Sequence, residues 1–373
     1  MAGSDPRLTS TANRAEQPCP WRIVLAGPVV AVVSLLLALV ATRMAGVTFR
    51  DWEHAVAWRC AWMAGVIALL VLLDIVVRAG ALSRRRVPTW SEVHAVRRER
   101  WTPRRLAAAG GALVSFYVTY LAYRNVKSAI PLLRPGDLFD SQLASFDRTL
   151  FAGNDPAVLL HGILGTGNAA DVLAFVYMGF FYFVLASLPL ALVFSPFPQR
   201  GIFYVTAVSI NWALGAASYL LLPALGPIFA TPGVFADLPA SDATHLQGVL
   251  LRQRFEFLGD PMAPGAHQGI AAFASLHTSI MFTAAIAAQA SRLARPVRIA
   301  LWVLVALTTT ATVYLGWHYV ADDLAGVVIA LVALGIARAL TRFQPHIALR
   351  PITWRPGLAR PSVAETTSGS DAA

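Results

Sequence analysis

The chain is poor in charge. Only 13% of its 373 residues are Asp, Glu, Lys or Arg, against about 25% in a soluble domain, so an ordinary water-soluble fold is excluded. Cysteine is almost missing too. Cys19 lies in a polar N-terminal stretch and Cys60 in an apolar run, and two such residues make neither a disulfide framework nor a zinc spacing. Lysine is rarest of all: Lys127 is the only one, and the remaining positive charge comes from arginine. No tandem repeat of short period recurs.

What the chain has in quantity is apolar sequence, 57% by composition. It falls into eight segments, at about 22–45, 55–79, 106–126, 169–194, 202–225, 275–294, 299–317 and 322–340. Each is near the roughly 20 residues that cross about 30 Å of hydrocarbon. The composition therefore predicts an all-α, polytopic membrane protein with about eight transmembrane helices. Residues 1–20, rich in Ser, Thr, Pro and Asp, read as a disordered tail. The first apolar run is too long for a signal-peptide core and reads as a retained anchor. Residues 21–105 then hold two accessory helices and a basic loop, 106–340 a six-helix core, and 341–373 a polar tail.

The net charge of +10 does not point to nucleic acid, because the arginines sit between apolar runs and anionic lipid headgroups are the natural counter-charge. Arg84–Arg86, Arg97, Arg98, Arg100, Arg104 and Arg105 share one connection; Arg292, Arg295 and Arg298 share another. With eight spans these fall on one side with both termini, and the positive-inside rule makes that side cytoplasmic. The expected setting is a bacterial plasma membrane. Two long connections, about 134–168 and 226–272, fall on the opposite side, and loops of that length are usually functional. The first alternates acidic and apolar residues (Asp137, Phe139, Asp140, Phe146, Asp147) and suits an amphipathic helix in the interface.

Three polar clusters end on that same outer face. His318 and Asp322 are spaced i, i+4, so they share a helical face. A carboxylate that takes the proton of one ring nitrogen leaves the other as a basic lone pair, which suits a nucleophile or general base. The plain alternative is an acidic helix N-terminus beside an interfacial histidine. Ser275 and His277 precede another segment. A hydroxyl and free N–H groups there can hold an anion and the histidine can protonate a leaving oxygen, although Ser275 is equally a good helix cap. Lys127 and Arg134 flank Pro131, with Pro135 following. A bent loop there would turn both cations toward phosphate oxygens, where simple snorkelling is the alternative.

Taken together, Lys127 with six residues before Arg134-Pro135, Ser275-Leu276-His277, and His318 with three residues before Asp322 resemble the type-2 phosphatidic acid phosphatase superfamily. The resemblance covers roughly residues 106–340. It implies that His318 is a nucleophile forming a phosphohistidine, that Asp322 orients it and that His277 protonates the departing alcohol. Lys127, Arg134 and Ser275 would hold the phosphoryl oxygens. It implies no cofactor and no metal, with a membrane lipid as substrate. The chain departs from the pattern at Ala311 and Thr312, where a Ser-Arg pair is usual, and at Leu276, where glycine is common. Arg252 and Arg254 are the accessory candidates to replace the lost arginine. Leu276, the His318-Tyr319 pair and the lost arginine look more like the inositol phosphorylceramide synthase branch, whose members pass a phospho-headgroup between lipids. An alcohol or polyol would then be the acceptor.

The expected function is an integral-membrane lipid phosphotransferase or phosphatase. A transporter is the rival class, but transporters gather polar groups near the midplane, and these gather at one surface. The aspartate-rich helix signature of metal-dependent CDP-alcohol phosphotransferases does not occur. Elsewhere, Asp74 and Arg78 are expected to pair and Asn211 and Ser218 to bond between helices. His161, His245 and His267 are the residues from which an outer metal site would be built.

Overall fold

Burial of the apolar segments against one another produces the architecture in the computed structural model, which describes residues 21–51, 56–83 and 87–344. Among these, every regular element is helical. The chain runs through α1 (Trp21–Met44), α2 (Val56–Leu82), α3 (Trp90–Arg100), α4 (Pro103–Leu133), α5 (Asp140–Leu150), α6 (Pro156–Leu164) and α7 (Asn168–Phe194). It continues through α8 (Pro198–Leu221), α9 (Pro227–Ala230), α10 (Asp242–Gly259), α11 (Leu276–Ala290), α12 (Arg295–Tyr314) and α13 (Val320–Thr341). The described helices form one compact unit, and the terminal stretches 1–18 and 346–373 lie outside the described residues.

Seven of the helices are long and apolar enough to cross a membrane: α1, α2, α4, α7, α8, α12 and α13. The eighth expected span forms α11, which has only 15 residues and so reaches about 22 Å at 1.5 Å per residue. The apolar side chains Leu36, Leu37, Leu69, Phe175 and Val328 are exposed, as lipid-facing positions are when no other helix covers them.

The most enclosed of the seven membrane-length helices is α8, buried without a break from Gly201 to Trp212. Helices α1, α4, α7, α11 and α13 all pack on it. Helix α2 instead packs on α3 and α7, tied there by Asp74. Its carboxylate accepts from Arg78 (2.8 Å), Arg100 (2.6 Å) and the Trp101 indole (3.0 Å), so the expected Asp74–Arg78 pair is present and larger than foreseen. Asn211 and Ser218 also bond between elements: Asn211 to Thr283 and Ser279 of α11, Ser218 to the backbone of Phe273 and Ala274.

One expectation fails here. The segment from Lys127 to Arg134 is not a bent loop. Helix α4 runs through Pro131 to Leu133, with Arg134 as its C-cap. A proline inside a helix leaves the carbonyl four residues back without its N–H donor. That carbonyl belongs to Lys127, and the side-chain amide of Gln268 donates to it instead. The break expected at Pro131 is thus repaired by a partner far along the chain.

The two long connections are ordered. The first holds α5 and α6; the second holds α9, a 3-10 turn at Pro232–Phe235, and the 18-residue α10, opened by a Ser241 capping box. Helix α5 packs on α13 and α10 on α7, so both connections lie against the helices that carry the site.

Candidate active site

His318 sits in the turn between α12 and α13, buried to 5% exposure. Its backbone N–H and that of Trp317 both donate to the Thr312 carbonyl (3.2 and 2.9 Å). Asp322, in the first turn of α13, faces it: Nδ1 lies 3.3 Å from Asp322 Oδ2. The same carboxylate oxygen accepts from the Tyr319 N–H at 2.9 Å, and the Asp322 N–H returns to the Tyr319 carbonyl at 3.0 Å. The i, i+4 spacing therefore delivers the expected pair.

The other ring nitrogen of His318, Nε2, is 3.3 Å from Nδ1 of His277 in the first turn of α11. If Nδ1 of His318 keeps its proton for Asp322, then His277 Nδ1–H is the donor of this bond and Nε2 of His318 carries the lone pair. Nε2 of His277 and Oδ1 of Asp322 are buried with no partner among the described residues. Tyr177 stacks on the His277 ring at 4.6 Å and Phe180 tilts against it at 4.3 Å. Burial pulls the His318 pKa from its ordinary value near 6.5 down to about 4, Lys127 pushing the same way and Asp323 opposing.

Both histidines line a cavity of about 370 Å³, and so do Lys127 and Arg124 of α4. The Lys127 ammonium lies 5.6 Å from the Tyr123 ring centre and 5.2 Å from that of Tyr219, within cation–π range. Leu246, Leu250 and Gln253 of α10, in the second long connection, also line the cavity. Arg124 was not anticipated. Its signal was its place one helical turn before Lys127, at i, i+3.

The remaining expected residues lie elsewhere. Ser275 is fully buried, outside the cavity lining; its hydroxyl accepts from the Thr278 N–H as the cap of α11 and its N–H donates to the Asp322 carbonyl. The hydroxyl oxygen thus serves as the helix cap. Gly326 makes this junction close, since a Cβ there would collide with the Ser275 carbonyl. Arg134 does not reach the histidines. Two turns of helix beyond Lys127, it bonds to Asp137 (2.7 Å) and the Leu220 carbonyl (2.9 Å). Arg252 is exposed on α10, and Arg254 faces a different cavity, together with Arg134. Neither lines the histidine cavity, and Thr312, at the position of the usual arginine, is buried with its hydroxyl bonded to Asp323 at 3.1 Å.

Leu276 is buried, lines the cavity and packs into α8 where Gly215 leaves room. A Cβ on Gly215 would stand 2.7 Å from its methyl groups. Two buried carboxylates of α5 also bear on the site, a role the sequence did not reveal. Asp147 accepts from the N–H groups of Val320 (2.7 Å) and Ala321 (2.9 Å), the first residues of α13. Asp140, two turns earlier, accepts from the N–H groups of Leu225 and Gly226 and from the Tyr319 hydroxyl. These bonds fix the turn that carries His318. His161 bonds to the Tyr314 carbonyl and His267 to that of Gly265, and no group of three metal-binding side chains occurs among the described residues.

An aspartate-backed histidine facing a second histidine and a lysine is an arrangement for handling a phosphoryl group. The chain matches the model of the PAP2 superfamily over residues 141–336, more than half its length, and belongs to that superfamily. Its function is accordingly of the phosphatase or phosphotransferase kind. The match takes in His277, His318 and Asp322 but begins after Lys127 and Arg134. No curated protein and no solved structure matches the chain.

Proposed function

We propose that the protein is a lipid phosphotransferase that works through a phosphohistidine on His318 without a metal. The observation that carries this is the orientation of His318, with Nδ1 on Asp322 and Nε2 toward His277 in a cavity with Lys127 and Arg124. A phosphorylated lipid headgroup would displace the His277–His318 contact. Nε2 of His318 then forms a bond to phosphorus as the bond from phosphorus to the leaving oxygen breaks. That oxygen takes a proton from His277, which enters the step doubly protonated and is left as the neutral imidazole. Asp322 stabilises the positive ring, and Lys127 and Arg124 hold charge on the equatorial oxygens. In the second half, His277 takes the proton of an incoming alcohol or water, and the new oxygen–phosphorus bond replaces the one to nitrogen.

Transfer to an alcohol or polyol is preferred over hydrolysis because Leu276 and the α10 wall keep the cavity apolar around the histidines and discourage water. A simple phosphomonoesterase, of the phosphatidic acid or polyprenyl phosphate type, is the second reading. It is favoured by Arg124, which with Lys127 supplies two cations for a dianion. The arginine distribution supports an extracytoplasmic position for the site. In intact cells, Leu138→Cys should react with an impermeant thiol reagent and Val87→Cys should not.

The test is chemical trapping. With phosphate-labelled phospholipid, rapid acid-free quenching should leave acid-labile label on the wild type and none on His318→Ala. Label that persists in His318→Ala overturns the assignment. Label discharged faster by added polyol or lipid alcohol supports transfer, whereas release of inorganic phosphate at an unchanged rate supports the phosphatase.

A further inference from the structure

In the proposed first step His277 carries a second proton, yet among the described residues no carboxylate is hydrogen-bonded to its ring. Its Nδ1 faces His318, and its Nε2, the atom left for that proton, is buried with no partner. Asp322 and Asp323 of α13 are engaged by His318 and by Thr278 with Thr312. Lys127 and Arg124 of α4, which line the same cavity, repel a further positive charge. The other titratable groups lining it are His267, His318 and tyrosines. A buried imidazolium in such a place is costly unless something else meets its charge.

What meets the ring is aromatic. Tyr177, Phe180 and Phe181 stand at i, i+3 and i+4 on α7, so they share one helical face. Tyr177 stacks on His277 with ring centres 4.6 Å apart and planes 29° from parallel. Phe180 lies at 4.3 Å and Phe181 at 6.0 Å, the latter near perpendicular. Tyr177 and Phe180 are both buried. Trp317, the residue before His318, stacks in turn on Tyr177 at 4.8 Å with planes 7° apart. The stack thus joins the His277 ring to the turn that carries His318.

The face of an aromatic ring attracts a cation within about 6 Å, most strongly where water is excluded. We propose that Tyr177 and Phe180 are positioning residues that hold His277 as an imidazolium, ready to give its proton to the leaving oxygen. One N–H bond of His277 breaks as the new O–H bond forms, and the ring is left neutral between the same aromatic faces. The inference deepens the phosphohistidine reading and rests on it for the destination of the proton.

The experiment changes the charge on the ring face and keeps the ring. Full-length protein in phosphatidylcholine nanodiscs carries Tyr177→Phe, then trifluoro- and pentafluorophenylalanine at the same position. Isotope-labelled imidazole signals are followed against pH with inorganic phosphate present, His277 being identified by its loss in His277→Gln. Tyr177→Phe should titrate like the wild type. The pentafluoro ring should lower the proton affinity of His277 about tenfold, the scale of one desolvated cation–π contact, with the trifluoro ring between. The basic limb of kcat should move to lower pH in the same order while KM holds. Identical titration across the series overturns the proposal, and so does a His277 that stays neutral at every pH at which the protein is folded. Where the pentafluoro protein folds poorly, the trifluoro step decides. The titration needs no turnover, so a failed trapping experiment leaves it standing, and a flat titration leaves His318 standing as the nucleophile.

Discussion

Asp74 and His318 are both at the centre of buried charge clusters, and the clusters are built in opposite ways. Around Asp74 both carboxylate oxygens are used, by Arg78, Arg100 and Trp101, and Nη2 of Arg100 goes on to the Val193 and Ser195 carbonyls, which Arg105 shares while its own Nε stays unmatched. Around His318 two polar atoms stay unmatched, Nε2 of His277 and Oδ1 of Asp322. Buried polar groups in folded proteins are nearly always satisfied. A cluster whose central carboxylate is saturated holds helices together; one whose central carboxylate and histidine keep open atoms has room for a ligand. The first fastens α2 and α3 to α7, and the second is held in its incomplete state by Asp140 and Asp147.

The sharpest way to break this contrast is to empty each centre. His318→Asn should lower turnover by roughly 10⁴-fold or more, as removal of a covalent nucleophile does, while the thermal midpoint holds or rises. A variant retaining a tenth of the activity would remove His318 from the chemistry. Asp74→Ala should behave conversely. Stranding Arg100 next to buried backbone should cost about 3 kcal/mol of stability, with turnover per folded molecule unchanged. If turnover falls as steeply as stability, the division into holding and reacting clusters is wrong.

Asp147→Asn tests the support rather than the centre. Its amide would set an N–H against the N–H of Val320 or Ala321, loosening the start of α13. The expected loss is about tenfold to a hundredfold in kcat, the scale seen when an outer group that orients a ligating side chain is removed, with KM nearly constant. Equal losses in kcat and in folded yield would make Asp147 merely structural.

The smallest effect is on pH. Burial holds His318 at about 4, below its unfolded value near 6.5. Between those values the unfolded chain binds the proton and the folded one does not, so stability is complete above pH 6.5 and declines as pH falls toward 4. The acid limb of kcat/KM should likewise lie well below 6.5. In His318→Asn this part of the stability loss should vanish, and its persistence would assign it to other groups.

Most of the helical plan was legible in the sequence. Apolar length alone placed the starts of α1, α2 and α7 within a residue of where they fall, because burial and helical hydrogen bonding in lipid leave few alternatives. The pairing of His318 with Asp322 was legible for the same reason: it is local. What could not be read was non-local. Pro131 signals a break unless one knows that Gln268 takes over the Lys127 carbonyl, and with the break went the placement of Arg134. Asp140 and Asp147 looked like the polar stripe of an interfacial helix, since their partners are backbone N–H groups that no side-chain pattern announces.

The fit of Leu276 against Gly215 imposes a sequence of events on any lineage that exchanges leucine and glycine at the middle of Ser-X-His. From the present state, a larger residue at 215 is blocked while leucine occupies 276. Leucine must shrink first, leaving a void in the wall of the histidine cavity, and only then can 215 grow to fill it. The reverse journey must begin by trimming 215. Each route passes through an intermediate with a hole beside His277 and His318, and water entering such a hole would shift a phosphoryl-handling site toward hydrolysis along the way.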